Sequence, residues 1–221
     1  MSNEKIGILL QGRITNWTKD IIIEYQENFP NSEIFVSTWE DENTDNLNCT
    51  VVKSRAPPMI ENDASTANFQ IIGCQEGLKN MKSDIILKSR TDSFIHNNNI
   101  FKIFLNFCDS KKIMVPDLGT YNNVFRASDL CQIGYRHILL DYWNNIPLYD
   151  GSSHEEPGQY LTKKYVLKFK NDHNPWNLIL KKYFCIKSYH DDFQIEFEKL
   201  NKYDNYKITF DKAFKNTTNL D

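Results

Sequence analysis

Residues 5–13 read KIGILLQGR. From Lys5 to Leu10 the run has no polar face, which is how a strand reads when both sides of it are covered in a parallel sheet. It stops at Gln11-Gly12-Arg13, a polar turn without the glycine spacing of a dinucleotide-binding loop or a P-loop. Asn16 is then placed to cap a helix across WTKDIIIEYQENF, where Trp17, Ile21 and Tyr25 recur at near-helical spacing until Pro30 ends the pattern. Strand, polar turn and helix in that order predict an α/β architecture.

The pattern repeats outward from there. EIFVSTW, Glu33 to Trp39, predicts a second buried strand, and NCTVVKSR, ending at Arg55 ahead of Pro57 and Pro58, a third. STANFQIIGCQEGLKNMK predicts a helix with Ser65 at its cap and Phe69, Ile72, Glu76 and Lys79 on successive rungs. SDIILKSR, Ser83 to Arg90, gives a fourth strand that closes on Thr91-Asp92. A helix follows at Ile100 to Cys108, a strand at Lys112 to Pro116 and a helix at Tyr135 to Trp143. Another helix opens at Pro157, where the fixed φ of proline suits a first turn, and Asn177 to Lys187 reads as helix running into strand. The expected whole is one domain over residues 1–221, a doubly wound, mostly parallel sheet flanked by helices, with a loosely attached tail after about residue 203.

The net charge of −3 supplies no broad positive field, which argues against wholesale binding of duplex nucleic acid and leaves room only for a local basic pocket. The first apolar stretch ends at Gln11, too short for the core of a signal peptide or for a transmembrane segment. The expectation is a cytoplasmic protein whose contact with membranes is at most peripheral. Five scattered cysteines without a CxxC pair read as reduced thiols.

Ligands of open parallel sheets sit at the carboxyl ends of the strands. Here those ends are Gln11-Gly12-Arg13, Ser37-Thr38-Trp39, Ser54-Arg55 and Arg90-Thr91-Asp92, with Lys88 just inside the last. They bring guanidinium groups for phosphate, a flexible glycine, hydroxyl donors, an aromatic face and one carboxylate, an inventory that fits a nucleotide diphosphate. Two members have plainer readings: Trp39 as packing, and Arg13 as half of a surface salt bridge. Asp92 is the candidate ligand for a hard divalent cation, Mn2+ or Mg2+, bridging a diphosphate, with a local cap as the competing role. For taking a proton from an acceptor hydroxyl the candidates are Asp129, within SDLCQIG, and Glu156, beside Glu155 and ahead of Pro157. Acids at a helix start also simply complement its dipole. His154, His190 and the Asp191-Asp192 pair lack metal-ligand spacing.

Five blocks, in order, resemble the WavE-type lipopolysaccharide-synthesis family: ILLQGRI at Ile8 to Ile14, NFP and IFVSTW between Asn28 and Trp39, QIIGCQEGL at Gln70 to Leu78, ILKSRTD at Ile86 to Asp92 and SDLCQIG at Ser128 to Gly134. The resemblance extends over about residues 5 to 170. It implies a GT-A-like fold and transfer of a sugar from a nucleotide-sugar donor onto a glycan or surface-polysaccharide acceptor. It also implies that Asp92 stands at the last acid of an Asp-x-Asp metal motif. Arg90 occupies the first acid's place, and Phe69 stands where the family is expected to carry a basic residue. The rival functions are a nucleotidyltransferase, which wants a glycine-rich basic loop and acids for two metals, and a non-catalytic nucleotide- or glycan-binding module.

Overall fold

The apolar run that opens the chain becomes an interior strand. In the computed structural model, which describes residues 4–60, 66–152 and 154–201, it forms β1 (Ile6–Gln11), and Ile8, Leu9 and Leu10 are fully buried. After it come α1 (Thr18–Asn28), β2 (Glu33–Trp39), β3 (Thr50–Ser54), α2 (Thr66–Asn80), β4 (Ile85–Arg90) and a short β5 (Ser93–Ile95). The second half adds α3 (Ile100–Phe107), β6 (Ile113–Pro116), β7 (Gln132–Tyr135), α4 (Arg136–Asn144) and α5 (Pro157–Lys163), which widens into a π-helical turn at Lys164–Phe169. α6 (Trp176–Tyr183), β8 (Phe184–Lys187), β9 (Ile195–Phe197) and α7 (Glu198–Asn201) complete it. The tail after residue 203 and the Ser65 cap lie outside the described residues.

The seven-stranded sheet has the order β3-β2-β1-β4-β7-β6-β8, in which β7 is antiparallel to both its neighbours and the other pairings are parallel. The expected mostly parallel, helix-flanked α/β sheet is therefore what forms. Strand alternation sorts its two faces. Leu9, Phe35 and Ile86 join Ile71, Leu78, Leu139, Trp143 and Ile179 under α2, α4 and α6. Ile8, Leu10, Val36 and Leu87 join Ile21, Tyr25, Phe101 and Phe104 under α1 and α3. A second sheet of β5 and β9 adds Ile95, Ile195 and Phe197 to that second face.

One local expectation is corrected. The start of α1 is fixed by threonines rather than Asn16: Thr15 N–H donates to Thr18 Oγ1 at 2.9 Å and Trp17 N–H to Thr15 Oγ1 at 3.2 Å. In α2 the rungs Phe69, Ile72 and Glu76 are half-buried and Lys79 is exposed, while Ala67, Asn68, Ile71, Cys74, Gly77 and Leu78 are buried. Small residues let the helix approach the sheet so closely that a Cβ on Gly77 would run into the side chain of Leu9. Among the described residues no helix is long and apolar enough to cross a membrane.

His96, which follows β5, ties the β9 segment to α1. Its Nδ1 lies 2.6 Å from Glu24 Oε1 and its Nε2 3.2 Å from Glu196 Oε2, with the ring stacked on Phe94 at 4.9 Å. Burial opposes the charged ring, but the hydrogen bonds and charges of Glu196 and Glu24 outweigh it and push the pKa up to about 9. A folded value above that of the free side chain means stability that is complete below a pH of about 6.5 and lost as pH climbs through the folded value. The melting temperature should accordingly fall between neutral pH and about pH 9.5. His96→Gln should flatten that fall; an identical fall in the variant would show that other groups cause it.

Candidate functional site

The parallel register sets the site. Gln11, the last residue of β1, is level with Arg90 of β4 on one side and Ser37 of β2 on the other. Just beyond, the chain turns at Gly12, whose φ of +141° lies where L side chains are strained. Gly12 N–H donates to the Ser37 carbonyl at 3.1 Å, and Thr91 N–H to the Gln11 carbonyl at 3.4 Å. Thr91 Oγ1 donates to the Arg13 carbonyl at 2.5 Å, and Thr18 Oγ1 to the Thr91 carbonyl at 2.9 Å. These bonds join the ends of β1, β2 and β4 to the start of α1 in a fixed floor.

Above the floor is a cavity of about 420 Å³ at the carboxyl edge of the sheet. Gln11, Gly12, Arg13, Trp39, Arg90 and Asp92 line it, so three of the four expected strand ends meet there. Met59, Thr66, Phe69, Gln70 and Lys199 complete the wall with Thr15 and Thr91. Gln11 is a wall group: its amide donates to the Phe69 carbonyl at 3.1 Å, and its side chain lies where a Cβ on Gly73 would be only 2.7 Å away.

Arg90 and Asp92 form one unit. Arg90 Nε donates to Asp92 Oδ1 at 2.7 Å and Nη2 to Oδ2 at 2.8 Å, a two-pronged pairing that fixes both planes. The guanidinium carbon lies 4.9 Å from the centre of the Phe197 ring. Burial works against the charge of Arg90, but the hydrogen bonds and charge of Asp92, with Asp129 farther off, hold its pKa above the ordinary value. Arg13 meets its plainer reading: Nη1 is 2.9 Å from Glu42 Oε1, and the side chain is 62% exposed. Such a pair contributes at most about 1 kcal/mol.

Other expected contacts are placed elsewhere. Ser37, Thr38 and Lys88 are fully buried and do not reach the cavity, because their side chains point into the covered faces of the sheet. Lys88 Nζ donates to the Asp129 carbonyl at 2.6 Å and lies 5.1 Å from the centre of the Trp143 ring. Trp39 is 1% exposed and meets Phe69 edge-on at 5.2 Å, so it packs the wall and offers no open face for a base. Arg55 is exposed beyond the end of β3 and does not line the cavity; Met59 from the same connection does.

Neither acceptor-side acid lines the cavity. Asp129 Oδ2 accepts from the Gln70 amide at 2.6 Å, one side chain behind the cavity wall. Glu156 precedes α5, is exposed, forms an ion pair with Arg126, and borders a different depression of about 390 Å³ beside Tyr121 and His154. Glu155 pairs with Lys163. Asp191 and Asp192 serve their own turn, Asp191 N–H donating to Ser188 Oγ at 3.1 Å and Asp192 Oδ2 accepting from Ser188 N–H at 2.8 Å. Sequence reasoning missed Gln70, although it lies within a block already singled out. It also missed Lys199, whose position rests on the β5–β9 pairing and on Glu198 N–H donating to the Asp92 carbonyl at 3.0 Å.

A resident divalent cation does not fit these residues. Among the described residues Asp92 is the one acid that lines the cavity, both its oxygens accept from Arg90, and no group of three His, Cys, Asp or Glu is arranged to hold a metal.

Residues 9–115 match the family model for WavE lipopolysaccharide synthesis. That span contains the Gln11-Gly12-Arg13, Trp39, Gln70 and Arg90-Thr91-Asp92 positions of the cavity, and the SDLCQIG block lies beyond it. No curated protein matches the sequence. Three solved structures show similarity of architecture. A nucleotidyl transferase from Methanothermobacter is 14% identical, with 77% of this chain and 84% of that one covered and a TM-score of 0.48. A glycosyltransferase involved in glycosylation of the major capsid of PBCV-1 is 10% identical, with 85% and 84% covered and a TM-score of 0.47. Glucosyl-3-phosphoglycerate synthase from Mycobacterium tuberculosis, in complex with Mn2+, UDP-glucose and phosphoglyceric acid, is 11% identical, with 83% and 69% covered and a TM-score of 0.47. At such scores none of the three bears on chemistry.

Proposed function

We propose that the chain is a glycosyltransferase that moves a sugar from a nucleotide-activated donor onto a glycan acceptor. One observation carries the reading: strand ends far apart in sequence, at Gln11-Gly12-Arg13 and Arg90-Thr91-Asp92, converge on one cavity of about 420 Å³ with a bare glycine turn and an oriented guanidinium. That volume is in the range of small-ligand sites. The first turn of α2, at Thr66 to Gln70, also faces the cavity, and a helix start carries partial positive charge suited to phosphate. The match to the WavE lipopolysaccharide synthesis family supports a glycan acceptor.

In the proposed transfer the acceptor hydroxyl oxygen bonds to the anomeric carbon as the bond from that carbon to the β-phosphate oxygen breaks. The electron pair leaves with the nucleoside diphosphate, and Arg90 meets the charge that develops there. The hydroxyl proton passes to a carboxylate. Of the two candidates Asp129 is preferred, because its Oδ2 accepts from the amide of the cavity-lining Gln70 at 2.6 Å, whereas Glu156 is exposed and paired with Arg126.

The test follows nucleoside diphosphate release from a panel of nucleotide sugars, with surface-polysaccharide fragments as acceptors. Asp129→Asn should lower transfer about 100-fold while leaving nucleotide affinity within about twofold, and Glu156→Gln should leave transfer near the parent rate. Unchanged transfer in Asp129→Asn would remove it as the base. Lost transfer in Glu156→Gln, with folding intact, would move the role there.

A further inference from the structure

We propose that this cavity binds the diphosphate without a divalent cation, with Arg90 as the built-in positive centre and Asp92 as the residue that positions it. The proposal rests on the transferase reading above and concerns the charge chemistry of the same site.

A metal bridging a diphosphate needs carboxylate oxygen. Both Asp92 oxygens accept from Arg90, at 2.7 and 2.8 Å, so a cation at the lone pairs that remain would sit against the guanidinium charge with no second acid among the described lining residues to share it. That guanidinium is also anchored over Phe197. The pairing uses one N–H of Nε and one of Nη2, and an arginine has five such donors, so the remaining ones are left for a ligand. The side chain is 37% exposed and lines the cavity, so those donors have access to it.

The surrounding charge agrees. Among the described residues Arg90, Lys199 and Arg13, the last paired with Glu42, line the cavity with Asp92 as the one acid. A guanidinium fixed in advance stabilises a leaving diphosphate with no reorganisation when the bond breaks. The task of Asp92 is then to lock the plane of Arg90.

Inorganic pyrophosphate is the probe, since it carries the diphosphate without a base or sugar. Calorimetry of the full chain should show pyrophosphate binding in EDTA at least as tight as with Mn2+, and Mn2+ alone should show no bound signal by electron paramagnetic resonance. Arg90→Gln should weaken binding more than tenfold with or without Mn2+, and Arg90→Lys should not restore it, because an ammonium lacks the planar fork. Asp92→Asn should weaken binding a few-fold and create no metal dependence. The melting temperature of each variant separates misfolding from lost binding. Binding that appears only with Mn2+ and vanishes in Asp92→Asn would overturn the metal-free site and leave the transferase reading standing. If neither pyrophosphate nor any nucleoside diphosphate bound with or without Mn2+, the transferase reading would fall with it.

Discussion

Gly77→Leu is expected to lower stability by about 3 kcal/mol, the upper part of the usual cost of overpacking a core. An ideal Cβ at residue 77 would be 2.9 Å from Leu9 Cδ2 and closer still to Cδ1, and Leu9 is fully buried in the interior of β1. Relief by movement of Leu9 is blocked on both sides. Its neighbours β2 and β4 are in register with it, and Ile71, Leu78 and Ile86 fill the same layer. The alternative is for α2 to lift, which would carry Phe69 and Gln70 away from the cavity wall. For a chain of this size the melting temperature should drop roughly 6–12 °C. Gly77→Ala should cost less, because only one carbon must be accommodated. A parent-like melting temperature in Gly77→Leu would mean that α2 does not press on β1 as closely as described.

Replacing Gly12 by valine should cost about 2 kcal/mol and remove nucleotide binding. The φ of +141° is accessible to glycine and strained for any residue with a Cβ, most of all a β-branched one. The new Cβ would also stand 2.8 Å from Thr91 Oγ1, the hydroxyl that holds the Arg13 carbonyl at 2.5 Å. Both strand-end turns of the cavity therefore shift together. Stability and binding can be separated by measuring each at a temperature where the variant is fully folded. Folded Gly12→Val that still binds a nucleoside diphosphate at parent affinity would place the phosphate elsewhere.

Much of the sheet was legible because its strands are continuous apolar runs. KIGILL, EIFVSTW and SDIILKSR are buried on both faces, and such runs need no partner to be recognised. The antiparallel β7 and the three-residue β5 and β9 were not legible. They are too short for a period to show, and their pairing is set by distant segments. The helical period of α2 was legible but its buried side was not, because beside Ile71 and Leu78 that side is built from Ala67, Gly73, Cys74 and Gly77, where close approach and not side-chain size decides burial. Of the site, the Gln11-Gly12-Arg13 and Arg90-Thr91-Asp92 ends were readable from strand position alone. Burial of Ser37, Thr38 and Lys88, the Arg13–Glu42 pair and the arrival of Lys199 depend on which elements cover which strand.

The claim that the strand ends of β1 and β4 hold a nucleotide diphosphate is tested most directly by calorimetric titration of nucleoside diphosphates and nucleotide sugars into the parent chain and into Arg90→Gln. The account predicts that one nucleotide series binds the parent at one site per chain and that Arg90→Gln loses more than tenfold in affinity. Absence of binding by every nucleotide, or equal affinity in parent and variant, would contradict it.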